Sequence, residues 1–173
     1  MKNTAAEVIL EVNYEAPTWQ DVDFEHTVMP ALSAMCDALE LAGLGLSVLL
    51  CSDARISELN AEFRGKDHPT NVLSWPGQVH PKVWDKDTPF QSSAIDDPEI
   101  GDLALAYEII QRQAQAACIP FENHMVHLTL HGVLHCLGFD HETDVSAAYM
   151  EDFETKILAR TGIPDPYIGM AAT

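Results

Sequence analysis

Eleven residues in the C-terminal half, His131 to His141, read HGVLHCLGFDH. Two imidazoles stand at His131 and His135, a glycine follows at Gly138, and a third imidazole comes at His141. On a helix, residues four apart lie about 40° apart around the axis and about 6 Å apart along it. Both imidazoles can therefore approach one ion at metal–nitrogen distances of about 2.0–2.1 Å. Glycine tolerates positive φ, so Gly138 lets the chain reverse and return His141 as a third ligand. Three neutral nitrogens leave one tetrahedral position open, as in zinc sites that do chemistry rather than brace a fold. His131, His135 and His141 are the candidate metal ligands.

The spacing matches most of the zinc-protease pattern H-E-x-x-H-x-x-G-x-x-H, but Gly132 stands where that pattern has its glutamate base. Zinc held by three neutral ligands keeps its double charge and brings the pKa of bound water to about 7. The nucleophile then needs no carboxylate at position 132, which suits a phosphodiester better than a peptide. Asp140, between Gly138 and His141, is a candidate catalytic group. It can orient a ligand imidazole or brace the turn. Glu142 is expected in solvent. On the same helix face, His127 is expected to pack or to support the site, and His124 to lie on the surface. His26, His68 and His80 fall in unrelated contexts, and of these only His68, beside Lys66, is kept as a substrate contact.

Alternation predicts a first strand over 7–14 (EVILEVNY), and a helix over 21–42 that Pro30 should start, kink or delay. A buried strand over 44–53 precedes a helix over 54–65, with Ser52 or Asp53 as N-cap and Gly65 as its stop. A short strand over 70–76 leads into a long surface loop, 77–98, without periodicity. A strand over 99–108 and a helix over the following ten residues come next. Pro120 suits the first turn of a helix running to about Leu137, which Gly138 ends. A last helix covers roughly 144–161. Strands and helices mix without a clean βαβ repeat. The fold class is therefore α+β: a small mixed sheet packed with helices, one domain over 1–173, with the metal site at the end of a central helix.

The 173 residues are enough to bury a core. No apolar run approaches the roughly 18 residues of a membrane span, and the N-terminus is too acidic and too alternating for a signal peptide. A soluble, cytoplasmic protein without membrane contact is expected. Cys36, Cys51, Cys118 and Cys136 show no C-x-x-C spacing, which argues against a disulfide framework or a thiolate zinc site. They read as small buried hydrophobes. The net charge of −18 repels polyanions, so a nucleic acid would have to be held locally; the basic residues are few, but Arg55, Arg64 and Lys66 fall within one twelve-residue stretch.

Three blocks resemble the YbeY-type endoribonucleases, also described as rRNA maturation factors. HGVLHCLGFDH is similar to that family's H-G-x-L-H-x-x-G-y-D-H, with Phe139 at the usual tyrosine. LNAEFRGKDHPTNVLSWP (59–76) is similar to its L-N-x-x-y-R-x-x-x-x-P-T-D/N-V-L-S-F-P, with Trp75 at the usual phenylalanine, and IGDLALA (100–106) is close to L-G-D-I-x-I. The resemblance implies a zinc-dependent, single-strand-specific endoribonuclease acting in 16S rRNA 3′-end maturation and ribosome quality control. It implies one Zn2+ per chain on His131, His135 and His141, although three imidazoles also suit nickel, copper and iron. It also implies a functional role for Arg64, which by itself reads as a surface arginine and which could clamp a phosphate. The expected partners are single-stranded RNA or rRNA and ribosomal particles or ribosome-associated proteins. Two rival readings are a metalloprotease, which Gly132 opposes, and a non-catalytic, metal-stabilised assembly factor, for which the motif lacks a fourth ligand.

Overall fold

The alternating stretch EVILEVNY forms strand β1 (Glu7–Tyr14) in a computed structural model that describes residues 5–168. Asp23 then caps helix α1 (Phe24–Ala38) by accepting from the His26 backbone N–H. Pro30 neither starts nor delays this helix but sits inside it. Phe24, Val28, Ala31, Leu32, Met35 and Cys36 are all buried along one stripe, and this burial outweighs the single backbone hydrogen bond that proline removes.

Strand β2 (Gly43–Cys51) runs parallel to β1. The chain thus contains a βαβ crossover that the pattern of elements had not disclosed. Helix α2 (Asp53–Arg64) is capped by the Ser52 hydroxyl, which accepts from Arg55 N–H, and it ends on Gly65 at φ 67°. Strand β3 (Val72–Pro76) follows.

Strand β4 (Glu99–Ala106) ends earlier than expected, because Tyr107 and Glu108 open helix α3 (Tyr107–Ala117). The reason is tertiary. The Glu108 carboxylate accepts from Asp53 N–H while the Asp53 carboxylate accepts from Ile109 N–H, so two helix starts satisfy each other's free donors. Helices α4 (Phe121–Cys136) and α5 (Asp144–Arg160) complete the chain, the latter opened by a reciprocal Thr143–Ser146 capping box.

The sheet order is β1-β2-β4-β3, with β1, β2 and β4 parallel and β3 antiparallel to β4. This mixed sheet with five helices is the expected α+β fold. Helices α1 and α4 lie in its main core, with α4 against β3 and β4. The stretch 77–98 is more than a surface loop: Trp84 is buried and its indole donates to the Leu137 carbonyl at 2.8 Å. Phe90 lies between Trp84 and Phe139, at ring separations of 5.5 Å from each. Cys36, Cys51 and Cys136 are buried as expected, but Cys118 is exposed because it forms the left-handed C-cap of α3 at φ 55°. Among the described residues, no helix is long and apolar enough to cross a membrane.

Candidate metal centre

The last turns of α4 carry His131 and His135, and Gly138, at φ 93°, reverses the chain so that His141 returns toward them. One ligand nitrogen from each of the three histidines lies within 4.8 Å of the others. His131 Nδ1 donates to Glu154 Oε1 at 2.6 Å, and His135 Nδ1 donates to the Phe139 carbonyl at 3.0 Å. A carbonyl and an ionised carboxylate only accept, so these contacts assign the proton to Nδ1 in both rings. Each Nε2 then bears a lone pair, and the two Nε2 atoms are 3.0 Å apart. Tetrahedral ligands at about 2.0–2.1 Å from one ion would be about 3.3 Å apart. Two converging lone pairs repel each other unless a cation sits between them, so the donor set fits a divalent metal.

Burial, followed by the nearby His131 and His141, lowers the His135 pKa to about 4. The ring is therefore neutral and able to ligate at physiological pH.

Glu154 had drawn no notice in the sequence. It is completely buried, and its Oε2 accepts from His127 Nε2 at 3.1 Å and from the Tyr167 hydroxyl. Burial by itself raises a carboxyl pKa, but hydrogen bonds from His127 and His131 and their charge outweigh it, holding Glu154 near 2. The same contacts make His127, His131 and Glu154 a second converging trio. A signal was present: Met150, Ile157 and Leu158 form the buried stripe of α5, and Glu154 falls within it. A glutamate in an apolar stripe has a partner or a cost.

His127 thus packs in support of His131 through Glu154. His124, expected on the surface, is half-buried and paired with Gln113 Oε1 at 2.9 Å, with its pKa lowered to about 4 first by burial and then by His127. The cause is helix α3, which packs on this end of α4.

The histidines open onto a cleft of about 900 Å³, bounded by β3, the 77–83 stretch and the turn after α4. Arg64 lines it from the end of α2, exposed, with Nη2 donating to the Ser74 carbonyl at 2.8 Å. Asp140 also lines it, and its Oδ1 accepts from the His141 backbone N–H at 2.7 Å, which braces the turn. The ring nitrogens of His131 and His135 are oriented by Glu154 and Phe139 rather than by Asp140. His141 and Glu142 are exposed at the mouth. Arg55 is turned to Glu15 and Glu58, and His68 is not among the lining residues.

His80, which the sequence placed in an unrelated context, belongs to the cleft. Its Nε2 lies 2.8 Å from the Cys136 carbonyl, and its ring would be 2.6 Å from any Cβ at position 138. Gly138 is required by both its φ and this close approach. Gly132 has a packing reason as well: a Cβ there would lie 2.8 Å from Leu103 Cδ2 and 3.2 Å from Val72 Cγ2. Helix α4 crosses the sheet at that residue, and the crossing leaves no space for a glutamate. Gly132→Glu is expected to cost at least about 1–3 kcal/mol from overpacking alone; a melting temperature equal to that of the wild type would refute this account.

Fold and cluster together define an α+β protein with a candidate metal centre at the end of a helix. The family model described as Endoribonuclease YbeY matches residues 11–162. The Endoribonuclease YbeY of Jannaschia sp. (strain CCS1) is 46% identical over 162 residues, covering 91% of this chain and 99% of that protein. The protein of the same name from Rhodopseudomonas palustris (strain ATCC BAA-98 / CGA009) is 44% identical over 168 residues, covering 95% and 84%. A solution structure from Thermotoga maritima shares the fold, with a TM-score of 0.55, 21% identity, and coverage of 89% of this chain and 92% of that one. The chain belongs to the endoribonuclease YbeY family.

Proposed function

We propose that this chain is a zinc-dependent, single-strand-specific endoribonuclease acting in 16S rRNA 3′-end maturation and ribosome quality control. In this reading one domain spanning 1–173 carries the activity in the cytoplasm and meets its rRNA on ribosomal particles. The observation that supports it best is the pair of Nε2 lone pairs 3.0 Å apart, facing a cleft that has an arginine on its rim. His131, His135 and His141 would hold the ion. When bound, it supplies Lewis acidity and an acidified water.

The rest of the chemistry falls to this chain's own side chains. Arg64, anchored by one nitrogen on Ser74, has its remaining donors free for a phosphate and can hold the strand bidentately beside the histidines. Lys82 adds a second cation on the rim. Asp140 keeps the His141 turn in place and stands within the cleft. A cleft open on one side admits an extended single strand.

Arg64→Glu is the test. Losing one charge-assisted contact corresponds to about 1.5–3 kcal/mol, so cleavage of single-stranded RNA should fall by about 10–100-fold with metal content unchanged. Wild-type cleavage by this variant would remove the clamp from the mechanism. Metal in the wild type with no cleavage attributable to it would favour the assembly-factor reading.

A further inference from the structure

Two exposed apolar side chains stand on the rim of the metal cleft. Val79 is 89% exposed and Val83 42% exposed, and both line the cleft from the 77–83 stretch. A single exposed valine needs no explanation. These two differ because the backbone that carries them is firmly held. Gly77 N–H donates to the Ile100 carbonyl at 2.8 Å. The Gln78 amide donates to the Ala94 carbonyl at 2.8 Å and accepts from Asp96 N–H at 3.1 Å. His80 and Trp84 donate to the Cys136 and Leu137 carbonyls, each at 2.8 Å. Those carbonyls lie at the end of α4, where a helix leaves acceptors unpaired. The stretch is thus fastened to the helix that carries His131 and His135, and between its fastenings Val79, Lys82 and Val83 stay exposed.

Among the described residues, Arg64 and Lys82 are the two lysine or arginine side chains that line the cleft. A ligand suited to this wall offers negative charge to the cations and flat apolar surface to the valines. Every nucleotide of a single strand carries both, a phosphate and the face of a base. In a duplex the base faces are stacked on their neighbours, whereas a single strand can splay them out.

We propose that Val79 and Val83 form a subsite for an unpaired nucleobase, with Lys82 on the phosphate beside it. This rests on the ribonuclease reading above. The base lies face-on against the two valines, and apolar surface leaves water on both sides. The stretch is already fixed, so little order has to be imposed on it when the strand binds. Contact with a base face rather than a base edge accepts any of the four bases, so the subsite selects unpaired strands without selecting sequence. An acidic peptide would bring charge and apolar side chains too, but a strand held by Arg64 beside the histidines must pass this wall.

The probes are short oligouridylate and an abasic ribose-phosphate strand of the same length, titrated into the full zinc-loaded chain and read by initial fluorescence anisotropy. Wild type should bind the base-bearing strand about fivefold more tightly. Val79→Ser with Val83→Ser should erase that preference while leaving the abasic affinity and the melting temperature unchanged. Ile9→Ser with Ile119→Ser removes exposed apolar surface elsewhere and should leave the preference intact. Lys82→Gln should weaken both strands alike and lower the salt dependence by roughly one counterion. A wild type without preference, or a valine pair variant that keeps it, would overturn the subsite alone if RNA is still bound and cleaved. Absence of any RNA binding would overturn the ribonuclease reading along with it. A glutamate–leucine peptide that binds wild type but not the valine pair variant, with the strand preference unmoved, would give the rim to a protein instead.

Discussion

Glu154→Ala is expected to lower the stability of the metal-free protein by about 3–5 kcal/mol, the usual cost of removing one partner from a buried charged pair. The carboxylate has no exposed surface and receives donors from His127, His131 and Tyr167. Without it, three partly buried polar groups lose their acceptor together, and His131 loses the contact that keeps its proton on Nδ1. Metal affinity should fall by about 10–100-fold, as it does when the partner of a ligating histidine is removed. Thermal unfolding and a zinc titration read the two effects separately. Glu154→Gln preserves the shape and should recover part of the stability but less of the affinity. Equal melting temperatures for wild type and Glu154→Ala would show that this network contributes nothing.

The same carboxylate gives the molecule an acid-sensitive region. Its folded pKa, near 2, lies below the ordinary 4.5, so its contribution is complete above about pH 4.5 and is lost as pH falls toward 2. His124 and His135 act at higher pH. Both are held near 4 in the fold against an ordinary 6.5, so the unfolded chain binds their protons first. Metal-free protein should accordingly lose stability from about pH 6.5 downward. In Glu154→Ala the part of the loss below pH 4.5 should flatten. Melting curves across this range test both windows.

His135→Ala is expected to reduce bound metal from about one ion per chain to a small fraction, and to abolish the stabilisation that added zinc confers. A ligand that binds only the native state at 100 times its Kd stabilises by about 2.7 kcal/mol, and this linkage disappears with the site. The variant should also melt below the wild type when both are stripped, since it leaves a space in a half-buried site. Elemental analysis and melting with and without zinc suffice. Undiminished metal content would overturn the assignment of His135 as a ligand.

The histidine trio was legible because its members fall within eleven residues on one helix end and one glycine turn, where spacing alone sets geometry. Ser52 as N-cap, Gly65 as stop and the alternation in β1 were legible for the same reason: each is a local interaction of side chain and backbone. Arg64 was recognised through a family block, and the fold then placed it on the cleft rim. The parts missed lie far from their partners along the chain. Glu154 is 23 residues from His131, and His80 is 56 from Cys136. The early end of β4 also depends on a distant residue, Asp53.

The sequence by itself therefore determined which elements form, which face of α4 carries imidazoles and what kind of ion they suit. These follow from helix periodicity, glycine φ and nitrogen donor chemistry, all of which act over a few residues. Only the tertiary structure decided that Glu154 orients His131 and that His80 closes the turn at Gly138. It also decided why Gly132 is glycine, since the crossing of α4 over Leu103 and Val72 leaves no room for a side chain. Burial and close approach depend on what the rest of the chain brings to a position, and that is written in no single stretch of residues.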